Sequence, residues 1–422
     1  MIDQALPFQH KSSMMMHTLH RALSPIARPA VRLKRPYLFF HPQSRHQTAL
    51  VCPRPLLRPY QEECIAEVLK SIKLGYLRLA VSLATGGGKT IIFTHLIQSV
   101  QHPTHPQHAT RTLILAHRVE LVLQAFKQAR LLYPGLRIDI EMGKKVATGT
   151  ADITVASIRS ISNWKRLQKY DPSTFKLILI DEAHHATSNN YHYTLQHFGV
   201  LDTEGGVESR PIVIGVSATM CRCDGQELQT VFNHVVFHKD SVDLMELGWL
   251  CPVKFAPVQT TIDLTRGDTG DMSKQANELI VCNWLSLAQG QRKSTIVFAA
   301  SIAHADGLTE MFKAHGIGAQ LITSKTSLKD RKERLDDFKE GKYPVLVNKG
   351  IFTEGSDIPN IDCVVLTRLT HNTNLLVQMI GRGLRLWPGK RDCLVIYFRN
   401  PDEAGIVPTP ALFGLGPDLS AD

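Results

Sequence analysis

The chain has 422 residues, of which 43% are hydrophobic and 20% charged, the balance of an ordinary globular protein with room for two or three domains. No apolar run reaches the roughly 18 residues that a membrane-spanning helix needs, so no integral membrane association is expected. The net charge of +10 is unevenly placed: residues 1–61 hold nine cationic side chains against Asp3 alone and so carry +8 of it. With the body close to neutral, the basic pI is poor support for a nucleic-acid partner. The eight cysteines are scattered, and only Cys221 and Cys223 are close-set, so no zinc-ribbon spacing and no metal site of that kind is expected.

The N-terminal stretch, residues 1–55, is rich in arginine, contains serine, and has no acidic residue after Asp3. That composition predicts a cleaved mitochondrial presequence and a matrix location; the alternative is a disordered basic tail. Next come short Val/Ile/Leu-rich runs at 77–83, 112–117, 153–157, 176–181 and 211–217, separated by amphipathic stretches at 60–74, 90–100 and 119–131. Near-continuous apolar runs alternating with helical patterns predict an α/β fold with parallel strands covered on both faces. The His-rich stretch 101–109 contains two prolines and reads as a solvated loop.

Residues 238–291 are mixed in character, with Gly248-Trp249-Leu250 near the start and a Gly/Asp/Thr-rich segment at 266–270, and are read as the interdomain connection plus the start of the second domain. A second βα series follows, with strands expected at 295–299, 320–323, 345–348, 363–367 and 394–398 and helices at 302–315 and 328–339. The expected division is a leader (1–55), a first domain (56–240), a second domain (241–405) and a short tail (406–422).

The strongest local signal is Thr85-Gly86-Gly87-Gly88-Lys89-Thr90, which follows a predicted strand and opens a helix. Glycines let backbone N–H groups curl around phosphate oxygens, and the helix N-terminus adds a favourable field. Lys89 is then placed to reach the terminal phosphates of ATP, and the Thr90 hydroxyl to bind Mg²⁺. The general P-loop pattern wants glycine where Leu83 stands. About ninety residues on, a predicted strand ends in Asp181-Glu182-Ala183-His184. A carboxylate at the C-terminal end of a buried strand can hold Mg²⁺ (Asp181), and its neighbour can orient the attacking water (Glu182). Gln378, Arg382 and Arg385 recur at spacings of four and three, which predicts one helix face presenting all three, with a guanidinium aimed at the transferring phosphoryl group.

Taken together these motifs resemble superfamily 2 helicases, in which the departure at Leu83 is normal. The resemblance runs from about residue 56 to 415. Asp-Glu-Ala-His followed by His185-Ala186, the segment 222–225, and Thr353-Glu354-Gly355-Ser356-Asp357 point to the branch containing restriction-enzyme motor subunits, and there to fungal mitochondrial DNA helicases. The resemblance implies two tandem RecA-like P-loop domains that sandwich ATP and Mg²⁺. It implies Arg58 and Gln61 in an adenine-recognition segment, with Gln61 on the base, and Gly355 and Asp357 beside the nucleotide. It also implies Arg118 and Ser157 on nucleic acid, and His184, Ser217 and Thr219 coupling the ATP state to the track. The implied activity is ATP hydrolysis to unwind or remodel DNA, double-stranded or branched by preference; the alternatives are an RNA helicase and a truncated nucleotide-binding regulator with weak ATPase. Three departures stand out: Cys221 and Cys223 stand where the family does not usually have cysteines, segment 264–281 is short for the family, and the chain ends soon after the motor core.

Overall fold

The computed structural model describes residues 56–201, 210–218, 226–262, 271–352, 358–367, 372–399 and Phe413, all within one compact unit. Thr219, the segment 221–225, Gly355 and Asp357 lie outside the described residues.

The first half builds a seven-stranded sheet from β1 (Arg78–Leu83), β2 (Arg111–Ala116), β3 (Ile138–Glu141), β4 (Ile153–Ser157), β5 (Phe175–Asp181), β6 (Ile212–Ser217) and β7 (His234–Lys239). Their order is β3-β4-β2-β5-β6-β1-β7, and every neighbouring pair is parallel. Strands β1, β2, β4, β5 and β6 are buried almost end to end, which is why their sequences show no alternation: helices cover both faces. One of these is Pro59–Lys73, which starts on a proline and turns Tyr60, Cys64, Ile65 and Val68 inward at helical spacing. Others are Lys89–Ser99 and Val119–Leu132. The outer strands β3 and β7 are only partly buried and break the apolar pattern.

A second, six-stranded sheet follows from β8 (Val253–Gln259), β9 (Thr295–Phe298), β10 (Ala319–Ile322), β11 (Val345–Asn348), β12 (Cys363–Leu366) and β13 (Cys393–Arg399). Its order is β10-β11-β9-β12-β13-β8, again all parallel. Pro257 sits within β8, which is tolerable because β8 is an edge strand. In the stretch 238–291 the chain forms helix Ser241–Glu246, then β8 of the second sheet and the long helix Asp271–Leu287, while the segment 266–270 lies outside the described residues.

A single apolar cluster runs through both halves, joining Val81 and Ile214 of the first sheet and Leu96 on its covering helix to Phe255 of the second sheet, with Leu250 and Leu384 from the chain beside it. The two sheets therefore share buried surface and are not beads on a linker. No helix among the described residues is long and apolar enough to cross a membrane.

The helix bearing Gln378 corrects one expectation. It spans Thr373–Gly381 and stops there, with Arg382 as its C-cap, so Arg385 lies beyond the helix and not on its face. Packing explains the stop. A Cβ on Gly383 would lie 2.3 Å from Cys393 Sγ and 2.9 Å from Val364, so the chain turns here by pressing bare backbone against β12 and β13.

Candidate nucleotide-binding cleft

Parallel strands place their C-terminal ends along one edge of the sheet. In register, Ser82 lies opposite Ser217 and Asp181 opposite Val216, so the ends of β1, β6 and β5 are level and adjacent. The glycine loop leaves β1 at this edge. Gly86 and Gly88 have φ of 88° and 82°, a left-handed conformation that glycine adopts without a steric cost. Gly87 is required for a different reason: a Cβ there would sit 2.8 Å from Leu83 Cγ. Leu83 and Gly87 therefore share one space, and the bulky residue at position 83 is accommodated by the bare one at 87. Lys89 and Thr90 then open the helix Lys89–Ser99.

From β5 the chain enters a tight turn in which Glu182 has φ of 49°, the only positive φ of a non-glycine residue among those described. An L-residue in this region costs on the order of 1–2 kcal/mol, a strain that concentrates at functional sites. Gly215 on β6 makes the turn possible, because a Cβ there would lie 2.7 Å from Ala183 Cβ. The result brings Glu182 Oε1 to 2.9 Å from Lys89 Nζ across the intervening strand, with both side chains largely buried. On the far side of the carboxylate, His184 Nδ1 lies 3.5 Å from Glu182 Oε2 and 2.9 Å from Ser217 Oγ. The three motif positions at the ends of β1, β5 and β6 thus form one polar chain.

The second sheet closes the site. Lys89, Thr90, Thr85, Gly86, Gly88, Asp181 and Glu182 line a cavity of about 300 Å³ whose other wall is Arg382, Arg385 and Leu386. The approach is close: a Cβ on Gly381 would lie 2.7 Å from Thr85 Cβ, and one on Gly86 would lie 3.4 Å from Arg385 Cγ. Thr85 Oγ1 and, in the neighbouring helix, Gln378 Nε2 are buried without a hydrogen-bond partner. Burying such a group unsatisfied costs about 1–3 kcal/mol, and of the two only Thr85 lines the cavity, where an unpartnered hydroxyl suits a polyanionic ligand with its metal; Gln378 is not among the lining residues. Thr90 and Asp181, facing the same space, are the oxygen donors that Mg²⁺ favours.

Arg58 also lines the cavity, whereas Gln61 does not. The Gln61 amide is spent on the protein: its Nε2 donates to Gly87 O at 3.0 Å and its Oε1 accepts from Arg58 N at 3.0 Å. A residue that sequence reasoning passed over, Trp249, lines the cavity beside Arg58. Its signal was a glycine directly after a short helix, followed by an aromatic residue.

The positions expected on nucleic acid lie along the same edge. Arg118 follows β2 and donates from Nη1 to Gly350 O at 3.2 Å, across to the second half of the chain. Two residues on, Glu120 meets Arg331 Nη1 at 2.5 Å, a second bridge between the halves. Ser157, at the end of β4, is buried and stands just before a single helical turn, to which its side chain makes no capping hydrogen bond.

Comparison with known proteins follows this geometry. The family described as type III restriction enzyme, res subunit, matches residues 54–222, and the helicase conserved C-terminal domain matches residues 276–386. A Schizosaccharomyces pombe protein named as a candidate mitochondrial ATP-dependent helicase, irc3, is 41% identical over 374 residues, covering 86% of this chain and 60% of its own length. A Saccharomyces cerevisiae protein named as a candidate ATP-dependent helicase, IRC3, is 39% identical over 380 residues, covering 86% of this chain and 54% of its own. The chain thus spans little more than half the length of these relatives. Among solved structures, a Vibrio vulnificus fragment assigned as an HsdR subunit of a type I restriction enzyme superposes with a TM-score of 0.61 at 22% identity, covering 80% of this chain and 63% of the other. The chain therefore joins a region matching the type III restriction enzyme res subunit to a helicase conserved C-terminal domain, and over most of its length it is similar to proteins named as helicases in two yeasts.

Proposed function

We propose that this chain is an ATP-hydrolysing motor that moves along or remodels DNA in the mitochondrial matrix. The observation that carries the reading is the divided site: Lys89 and Glu182 on the first sheet face Arg382 and Arg385 on the second across one cavity. ATP would seat its phosphates in the glycine loop. A γ-phosphate competes with Glu182 for Lys89, and the carboxylate so released is left to orient and deprotonate the attacking water. Thr90 and Asp181 would hold Mg²⁺, which supplies charge neutralisation on the phosphates when bound. Arg382 and Arg385 stabilise the charge that develops on the transferred phosphoryl group. Because they reach it from the other sheet, turnover is tied to closure of the cleft. Arg118 and Ser157 would contact the nucleic-acid backbone on the first half, with His184 and Ser217 linking that track to Glu182. The matched restriction-enzyme family supports DNA over RNA, and the name of the S. pombe relative together with the acid-poor N-terminus supports mitochondria. The test is steady-state ATPase of the purified chain with matched double-stranded DNA, single-stranded DNA and RNA. Strong stimulation by DNA is expected; stimulation by RNA alone would replace the substrate, and no ATPase at all would remove the reading.

A further inference from the structure

On the surface of the second half, three side chains of metal-ligand type converge: Glu278 and Cys282 from helix Asp271–Leu287, and His315 from the end of helix Ile302–Ala314. The carboxylate and the thiol stand four residues apart and so share one exposed face of their helix. Its other face, with Ala276, Ile280, Val281 and Trp284, is buried in the core of the second half. There the Trp284 ring meets Phe312 of the neighbouring helix edge-on, with centroids 5.4 Å apart, and its Nε1 donates to Thr295 Oγ1 at 2.9 Å. The two backbones that carry the cluster are therefore fixed to each other from beneath.

His315 caps its helix, and its Nδ1 lies 3.0 Å from Met311 O. A carbonyl oxygen only accepts, so Nδ1 holds the proton, and a neutral ring keeps its lone pair on Nε2. That nitrogen faces Glu278 Oε1 at 3.1 Å, and the Cys282 sulfur lies 3.6 Å from the same oxygen. A neutral imidazole nitrogen and a carboxylate oxygen are both acceptors, so the contact calls for a cation between them: a second proton on the ring, or a metal ion. The distances favour the ion. Around tetrahedral Zn²⁺, bonds of about 2.3 Å to sulfur and about 2.0 Å to nitrogen and oxygen put neighbouring donors roughly 3.3–3.5 Å apart. Both measured separations are close to this, and all three donor atoms lie within 4.8 Å of one another. The backbone hydrogen bond on the other ring nitrogen is the support that metal-bound histidines have. We propose that Glu278, Cys282 and His315 form a Zn²⁺ site that clips helix Asp271–Leu287 to the end of helix Ile302–Ala314, with water in the fourth position. Mixed sulfur, nitrogen and oxygen donors suit Zn²⁺, whereas Mg²⁺ wants oxygen alone. On binding, the Cys282 thiol gives its proton to solvent and the thiolate takes the bond to the metal. Cysteine spacing does not show the site, because the third ligand comes from a different helix. None of the three residues lines the nucleotide cavity, so the clip stands independently of the ATPase reading.

The test titrates the full chain, stripped of metal and free of nucleotide, first with Co²⁺ and then with Zn²⁺. Co²⁺ should bind with an intense thiolate-to-cobalt charge-transfer band, which an oxygen-only site such as Thr90 with Asp181 does not give. Zn²⁺ should displace it and raise the melting temperature. Cys282→Ser should abolish the band, His315→Gln should weaken Zn²⁺ affinity about tenfold or more, and Cys221→Ser with Cys223→Ser should leave both as in wild type. All three variants should keep the wild-type melting temperature in the absence of metal. A wild-type chain without the band, a band that survives Cys282→Ser, or Zn²⁺ affinity unchanged in His315→Gln would overturn the site and leave an exposed ion pair between His315 and Glu278.

Discussion

Two buried glutamates in the first half of the chain have opposite surroundings. Glu141, the last residue of β3, is wholly buried and its oxygens are saturated: Arg166 Nη1 at 2.7 Å, Tyr170 OH at 3.0 Å, Ala147 N at 3.2 Å, and the Lys169 ammonium. It ties the edge strand to the chain around 143–170. Glu182 is nearly as buried, but sits on strained backbone with Lys89 as its cationic partner, in a cavity wall. Burial by itself does not mark a functional carboxylate. The difference lies in whether its partner is a fixed donor of the scaffold or a cation that a phosphate can draw away.

Glu182→Gln tests the member of the pair that is proposed to act on water. The amide keeps the shape and loses the base, so kcat for ATP should fall about a thousandfold or more. Urea unfolding of the same variant should show stability close to wild type. Turnover within tenfold of wild type would mean that the two glutamates differ only in appearance. Glu141→Ala should do the reverse. It leaves Arg166 and Lys169 around an emptied site and should cost roughly 3–5 kcal/mol of stability, with ATPase per folded molecule retained.

A third buried ionisable side chain sharpens the contrast by staying neutral. His304 accepts a hydrogen bond from Ala300 N at Nδ1, and burial, with a smaller contribution from Lys349, pushes its pKa down to about 4. Its unfolded value is near 6.5, so the unfolded chain takes up the proton first as pH falls. Stability from this residue is therefore complete above about pH 6.5 and is lost progressively down to about pH 4, on the order of 3 kcal/mol in all. His304→Gln should flatten the stability profile across that window; an equally steep profile in the variant would place the acid sensitivity elsewhere.

How much of this was legible in the sequence depended on burial and on distance along the chain. The central strands, the glycine loop and the acidic turn after β5 could be located because strands buried on both faces show unbroken apolar runs and because both motifs are local. Edge strands β3, β7 and β8 were missed since half-buried or exposed residues such as His234, Lys254 and Pro257 dilute the pattern. Arg382 and Arg385 were found, but their spacing suggested a continuous helix; the stop at Gly381 depends on Cys393 and Val364, which only the folded chain brings near. Trp249 was passed over because its neighbour Arg58 lies almost two hundred residues away.

The smallest expected effect concerns the track. Arg118→Ala should weaken nucleic-acid binding modestly, with the slope of log affinity against log salt falling by about one, as for a single lost phosphate contact. An unchanged slope would assign Arg118 to its bridge with Gly350 alone.

The central claim is that one active site is divided between two sheets, and Arg385→Ala tests it most directly. Steady-state ATPase should be measured with saturating DNA, alongside equilibrium binding of ATP in its absence. The divided site predicts that kcat falls by about a hundredfold or more while ATP affinity changes little, and that stimulation by DNA largely disappears. A variant that keeps wild-type kcat and full DNA stimulation would contradict it, and would confine the chemistry to the first sheet.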